Sequence, residues 1–275
     1  MRVRTADIKK FRRTVRSHYR AHGRDFLPWR KTKNPYHIAV SEIMLQQTQV
    51  ERVLNYYQKF LRRFPTVRAL ARAHLPDLLR VWQGLGYNRR ALFVQKIARR
   101  GGKAYGGVLP SDPEILATFL GIGKNTAGAV AAFAFNIPTP FVETNIRRAF
   151  IHFFFPRRKK VSDKQFLPLA AKTLDRRNPR EWYYALMDYG AHLGRRAKEN
   201  SNRRSAHYRR QSRFEGSDRQ VRAGIVRIIL AEKRLTVRDI SKNLGEKPAR
   251  IQRIAASLAR EGFIKKTKNQ FTIFS

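Results

Sequence analysis

The stretch Phe119-Leu120-Gly121-Ile122-Gly123-Lys124-Asn125-Thr126 constrains this chain more than any other. An apolar helix-like run, Pro113 to Phe119, leads into it, and a small-residue run to Phe135 follows. Two glycines one residue apart predict a tight hairpin between two helices, because glycine permits positive φ and close backbone approach. The second helix begins just after Gly123, so unpaired N–H groups project from its N-terminus. Such an end attracts anions, and phosphate is the obvious one for a basic chain. The same residues also read as a plain helix–turn–helix corner whose glycines serve packing.

The charge favours a phosphate-rich partner. Among 275 residues, 59 are Lys or Arg and 19 are Asp or Glu, a formal net charge of +40. That excess points to a polyanion. A hydrophobic content of 42% supports a real core, so this is not simply a basic disordered tail. Cysteine is absent, which excludes disulfides, thiolate nucleophiles and cysteine-ligated zinc or iron–sulfur centres. No apolar run reaches membrane-spanning length, and the basic N-terminus has no secretory apolar core. A monomer without membrane attachment is expected, cytoplasmic and nucleoid-associated, or nuclear in a eukaryote.

Along the chain the patterns are helical. Residues 5–22 form a basic amphipathic helix with Ile8, Phe11, Val15 and Tyr19 at helical spacing. Leu27-Pro28-Trp29-Arg30 starts an extended segment through Asn34-Pro35, and Tyr36 to Phe60 is one or two helices. Ser41 is a candidate helix cap, which would put Glu42 in a first turn. Gly84-Leu85-Gly86-Tyr87 is a second glycine turn, and it places an aromatic beside Arg89 and Arg90. Such a ring packs in a core or wedges between bases. Residues 91–104 are helical, and residues 162–193 hold two more helices. Residues 194–213 are a polar, Arg-rich loop that either binds phosphate or is disordered. From Asp218 three helices, the second capped by Thr236, lead to a hairpin turning at Lys268-Asn269, the pattern of a winged helix. Its third helix bears Arg250 and Arg253, and its wing bears Lys265 and Lys266, all candidates for DNA contact.

Glu42 and Glu143 flank the phosphate-binding hairpin in sequence. Two carboxylates suit cleavage of an N-glycosidic bond: one protonates the leaving base, and the other, ionised, stabilises an oxocarbenium-like sugar. The base must first leave the stack.

From Phe11 to Gly194 the chain resembles the helix–hairpin–helix DNA glycosylases, closest to the adenine DNA glycosylases. The matching residues are Leu27-Pro28-Trp29-Arg30, Ser41-Glu42-Ile43-Met44-Leu45-Gln46-Gln47-Thr48-Gln49-Val50, Gly84-Leu85-Gly86-Tyr87, Leu120-Gly121-Ile122-Gly123 with Thr126-Ala127, Asn145 with Arg148, and Met187-Asp188-Tyr189-Gly190-Ala191. The resemblance implies an all-α fold of two helical subdomains with a cleft between them, here followed by the small winged helix. The glycosylase domain would cover 1–213: helix 5–22 packed with 137–193, a six-helix subdomain at about 29–136, and the basic loop 194–213. The winged helix would cover 218–275.

The resemblance also implies site roles. Glu42, Glu143 and Asn145 are the candidate catalytic set. Gln46, Gln47, Thr48, Tyr87 and Arg148 would touch DNA, with Gln47 and Tyr87 entering the duplex. The hairpin Leu120, Gly121, Ile122, Gly123, Lys124, Asn125 and Thr126 would hold a phosphate, with a Na+ or K+ ion at the Leu120 and Ile122 carbonyls and no metal held by side chains. Four departures stand out. The family's aspartate falls at Glu143, moving the carboxylate by about one methylene, a shift to which catalytic geometry is sensitive. The strand-cleaving lysine of endonuclease III falls at Asn125, so no lyase step is expected. The iron–sulfur spacing falls on Gly194, Ser201, Arg204 and Arg210, so no cluster and no other cofactor is expected. The lesion-reading C-terminal domain is replaced by the winged helix.

The expected function is a monofunctional DNA glycosylase acting in base excision repair on a mispaired or damaged base in double-stranded DNA. Adenine is the first choice of base and mismatched thymine or uracil the second. A non-catalytic protein recognising distorted DNA is the alternative. Affinity for duplex DNA should fall steeply as salt rises in titrations from low to physiological ionic strength. A shallow dependence would mean that most of the charge is idle.

Overall fold

A computed structural model describes residues 3–196, 200–206, 208–209 and 211–274. In chain order the helices are α1 (Thr5–His22), α2 (Pro35–Leu45), α3 (Val50–Arg63), α4 (Val67–Ala71), α5 (Leu75–Trp82), α6 (Arg89–Ala104) and α7 (Pro113–Ala117). They continue as α8 (Lys124–Phe135), α9 (Thr144–Phe154), α10 (Asp163–Thr173), α11 (Pro179–Arg196) and α12 (Asp218–Glu232). Strand β1 (Leu235–Thr236), α13 (Val237–Leu244), α14 (Pro248–Arg260), β2 (Ile264–Thr267) and β3 (Gln270–Ile273) complete the chain. No described helix is long and apolar enough to cross a membrane.

The chain divides into two compact units, Met1–Glu42 with Val108–Arg210, and Ile43–Gly107 with Gln211–Ser275. The division runs across the stretch 29–136 that the sequence reading treats as one subdomain. It also groups the C-terminal module with residues 43–107.

In the first unit, α1 packs on α11 and α10, and α11 lies along α9. Phe11, fully buried, sits among the rings of Phe150, Phe153, Phe154 and Trp182 at 4.9–6.1 Å. Each such buried aromatic contributes about 1.5–3 kcal/mol through burial alone. The α9–α11 contact depends on Gly190: a Cβ there would lie 2.1 Å from the Asn145 carbonyl oxygen. Residues 200–206 are fastened beside α9. Asn202 Nδ2 donates to the Thr144 carbonyl at 3.1 Å, and Arg204 Nη1 to the Phe155 and Pro156 carbonyls at 2.8 and 2.6 Å. Of the positions matching the iron–sulfur spacing, Arg204 makes two of these bonds, Ser201 lies in the same segment, Gly194 lies in α11, and Arg210 lies outside the described residues.

In the second unit, α3, α5 and α6 bury Phe60, Trp82 and Ile97. The C-terminal module buries Ile225, Ile240, Ile254 and Phe263 between α12, α13 and α14. Thr236 and Asp239 form a reciprocal capping box at the start of α13, as the sequence suggests. The hairpin β2–β3 pairs Ile264 with Ile273 and Lys266 with Phe271. Strand β1, too short to read from sequence, adds to β3 and gives the antiparallel order β1-β3-β2.

Two local expectations are overturned. Pro28–Arg30, read as the start of an extended segment, is a turn of 3-10 helix with proline at its first position. Ser41 does not cap a helix: it lies buried inside α2, and its hydroxyl donates to the Ile38 carbonyl at 2.8 Å. The cap is Asn34, whose Oδ1 accepts from the Tyr36 N–H at 2.9 Å, and Pro35 takes the first helical position. Glu42 is consequently near the C-terminus of α2, where the helix dipole disfavours a negative charge.

Gly190→Ala should lower the unfolding free energy by on the order of 1–3 kcal/mol or more, since backbone must yield to the new methyl. Gly102→Ala in α6, where a Cβ meets nothing within 4 Å, should leave it unchanged or raise it slightly. Urea midpoints for the two variants check this.

Candidate active site

The site in the first unit is built on two helix ends. Helix α2 presents Glu42 from its last turn, and α9 begins at Glu143. Among the described residues nothing hydrogen-bonds the Glu42 carboxyl. Desolvation pushes its pKa up to about 8; the nearby Glu143 charge adds to the rise, and Arg30 opposes it. Glu42 therefore carries a proton at neutral pH.

Glu143 has a different environment. Its Oε1 accepts from the backbone N–H groups of Asn145 and Ile146 at 2.7 and 2.8 Å, and its Oε2 accepts from Asn145 Nδ2 at 3.2 Å. The side chain curls back to cap α9. Burial raises its pKa, while those two N–H groups, Arg148 and Arg147 favour the ionised form. Its pKa is raised overall, but of the two carboxyls only Glu143 has donors among the described residues that favour its charged form.

Further side chains fix these two. Arg148 Nη1 donates to Asn145 Oδ1 at 3.0 Å and to the Gly190 carbonyl at 2.9 Å. It locks Asn145 from within the fold. Asn125 Oδ1 accepts from the Val142 N–H at 3.2 Å, tying the first turn of α8 to the residue before Glu143. Arg30 was legible only as part of a motif. Its guanidinium grips Asp188 at 2.7 and 2.8 Å and stands 4.5 Å over the Tyr184 ring. Arg24 binds the same carboxylate. Burial would raise the Asp188 pKa, but Arg30 and Arg24 outweigh it and hold the carboxylate ionised.

The hairpin forms as expected between α7 and α8. Gly121 has φ +89, the Ile122 N–H bonds the Phe119 carbonyl at 3.0 Å, and Ile122 is buried. Leu120 is 53% exposed, and Gly123, Lys124 and Asn125 are exposed at the start of α8, with Thr126 half-buried. Among the described residues neither the Leu120 nor the Ile122 carbonyl accepts a hydrogen bond.

In the second unit the remaining expected contacts cluster around Arg90, a residue the sequence reading gave no role. Its buried guanidinium donates to the carbonyls of Ile43, Met44, Gln46 and Gly86 at 2.5–3.0 Å and to Thr48 Oγ1 at 2.9 Å. It joins the Gln46–Gln47–Thr48 turn to the Tyr87 turn. Both Gln47 and Tyr87 have positive φ, +56 and +48. Arg250 and Arg253 hold Asp218 at 2.9 and 2.8 Å, and Arg250 also holds Glu246. Lys265 and Lys266 are exposed on the wing.

Residues 40–171 match the family described as HhH-GPD superfamily base excision DNA repair protein. The adenine DNA glycosylase of Buchnera aphidicola subsp. Baizongia pistaciae is 37% identical over 185 residues, 66% of this chain and 52% of that protein. The chain thus spans about half the length of that relative. Among solved structures, a thermostable thymine-DNA glycosylase has 25% identity and a TM-score of 0.61, covering 68% of this chain and 87% of that one. A non-covalent endonuclease III–DNA complex has 19% identity and a TM-score of 0.60, covering 72% and 89%, and shares the fold.

Glu42 gives this site a testable pH signature. The folded chain keeps the Glu42 proton up to about pH 8, while an unfolded glutamate loses it near 4.5. This contribution to stability is complete below the lower value and is lost as pH rises towards the upper one. Glu42→Gln should flatten the decline in urea stability between those values, and an unchanged slope would contradict the assignment.

Proposed function

We propose, from the match of residues 40–171 to the HhH-GPD superfamily, that this chain is a monofunctional DNA glycosylase that removes a mispaired base, adenine in the first instance. The observation that carries this reading is the division between two carboxyls: Glu42 is protonated at neutral pH, and Glu143 is hydrogen-bonded at a helix N-terminus. Glu42 donates its proton to a ring nitrogen of the flipped base, so the base leaves neutral as the N-glycosidic bond breaks. The carboxylate of Glu143 stabilises the sugar cation until water adds. Asn145, held by Arg148, steadies that carboxylate.

Asn125 supplies no amine, so the reaction ends at the abasic site. The exposed start of α8 suits a phosphate of double-stranded DNA, and the neutral carbonyls of Leu120 and Ile122 suit a Na+ or K+ ion beside it. Gln47 and Tyr87 are the residues of the second unit assigned to the opened duplex. The likeness to a thymine-DNA glycosylase supports a second reading, removal of mispaired thymine by the same two carboxyls.

The test is a panel of labelled duplexes containing A opposite 8-oxoguanine, A·G, G·T and G·U, incubated and then treated with alkali. Cleavage at adenine supports the first reading, and cleavage at thymine the second. Binding with no abasic product from any duplex would leave a non-catalytic DNA-binding protein. Glu42→Gln should reduce excision by about 10²–10⁴-fold while leaving binding intact. The wild-type single-turnover rate should fall as pH climbs past about 8, where Glu42 loses its proton.

A further inference from the structure

Tyr87 is a bulky residue at φ +48, a backbone region that such residues rarely occupy without support. Two guanidiniums stand over its ring, Arg90 at 5.3 Å and Arg219 at 5.6 Å. Arg90 belongs to the same turn. Arg219 comes from α12, 132 residues away in sequence, and its Nη1 donates to the Tyr87 hydroxyl at 2.8 Å. Gln211 donates to the same oxygen. The other end of the Arg219 fork is anchored, with Nη2 on the Ser212 carbonyl at 2.7 Å. A second tie lies alongside: Glu261 of the C-terminal module accepts from Arg89 at 2.9 Å and from Arg222 at 2.6 Å.

We propose that Arg219 is a positioning residue: it fixes Tyr87 in the pose from which the ring acts on DNA, so the C-terminal module contributes through Tyr87 and not only through its own charge. A planar fork suits this task. It bonds the phenol and the Ser212 carbonyl at once while lying over the ring, which an ammonium cannot do. Holding the ring in place before DNA arrives removes an ordering cost from the encounter. The inference rests on the reading that duplex DNA is the partner, and it assigns the C-terminal module a role that follows from contact with one side chain.

The experiment uses the full chain with Glu42→Gln, so that no base is lost, and an A·G duplex with 2-aminopurine beside the mismatch. The rise in fluorescence on mixing reports local unstacking. Arg219→Lys keeps the charge and loses the fork; Tyr87→Phe keeps the ring and loses the hydroxyl. Each should slow the rise by roughly fivefold or more, and the double variant should be no slower than the worse single one. Melting temperatures check that each variant is folded, and Tyr87→Phe probes the contact from its other side should Arg219→Lys be unstable. A wild-type rate in Arg219→Lys, or effects that multiply in the double variant, would overturn the proposal. Absence of excision by the parent chain would count against the proposed function alone, because unstacking is read without it.

Discussion

Two carboxyl groups removed from water, one raising the pKa of the other, sit at the centre of the first unit, and the surrounding residues treat them unequally. Glu42 receives no hydrogen bond from described residues and lies towards the negative end of α2. Glu143 receives two backbone donors at the positive end of α9. The asymmetry is written into which end of which helix each residue occupies. Arg30 could undo it, because a bare cation near Glu42 would favour the charged form. Asp188 moderates this by engaging that guanidinium with both oxygens, although Arg30 still opposes the rise of the Glu42 pKa.

Arginine does structural work throughout this chain. Arg90 gathers carbonyls from two turns, and Arg148 joins Asn145 to the Gly190 carbonyl. Arg180 binds the Phe133 and Ala134 carbonyls at the end of α8, and Arg250 bridges Asp218 and Glu246. A guanidinium with several donors in one plane can satisfy helix-end carbonyls that would otherwise face no partner. A net charge of +40 therefore overstates the cation supply open to a polyanion.

The hairpin was legible in sequence because Gly121 punctuates two apolar runs, and the C-terminal order of three helices and a β-hairpin was legible because Thr236 and the Lys268-Asn269 turn mark their element ends. The start of α2 was legible to within one residue, Tyr36 against Pro35, whereas Ser41 misleads as a cap because its hydroxyl bonds the Ile38 carbonyl inside the helix. The carboxyl pair could be named from sequence, but its electrostatic division could not. That division depends on desolvation and on which backbone N–H groups converge, and neither has a pattern along the chain. Arg148 and Arg250 look in sequence like free cations; only packing reveals their partners, which for Arg148 include the Gly190 carbonyl and Asn200, 42 and 52 residues away. Arg219 was unreadable for the same reason, since its partner Tyr87 lies 132 positions earlier.

The segment 200–206 is held against α9 by Asn202 and Arg204 through main-chain carbonyls. With no cysteine anywhere in the sequence, this anchorage contains no thiolate. Peroxide, nitric oxide and chelators have nothing to attack there, and the segment needs no iron delivered before it can settle. Its integrity answers instead to variables that weaken hydrogen bonds, such as heat and urea. A repair reading of this chain thus describes a protein whose fold at this point is indifferent to the oxidants that damage bases.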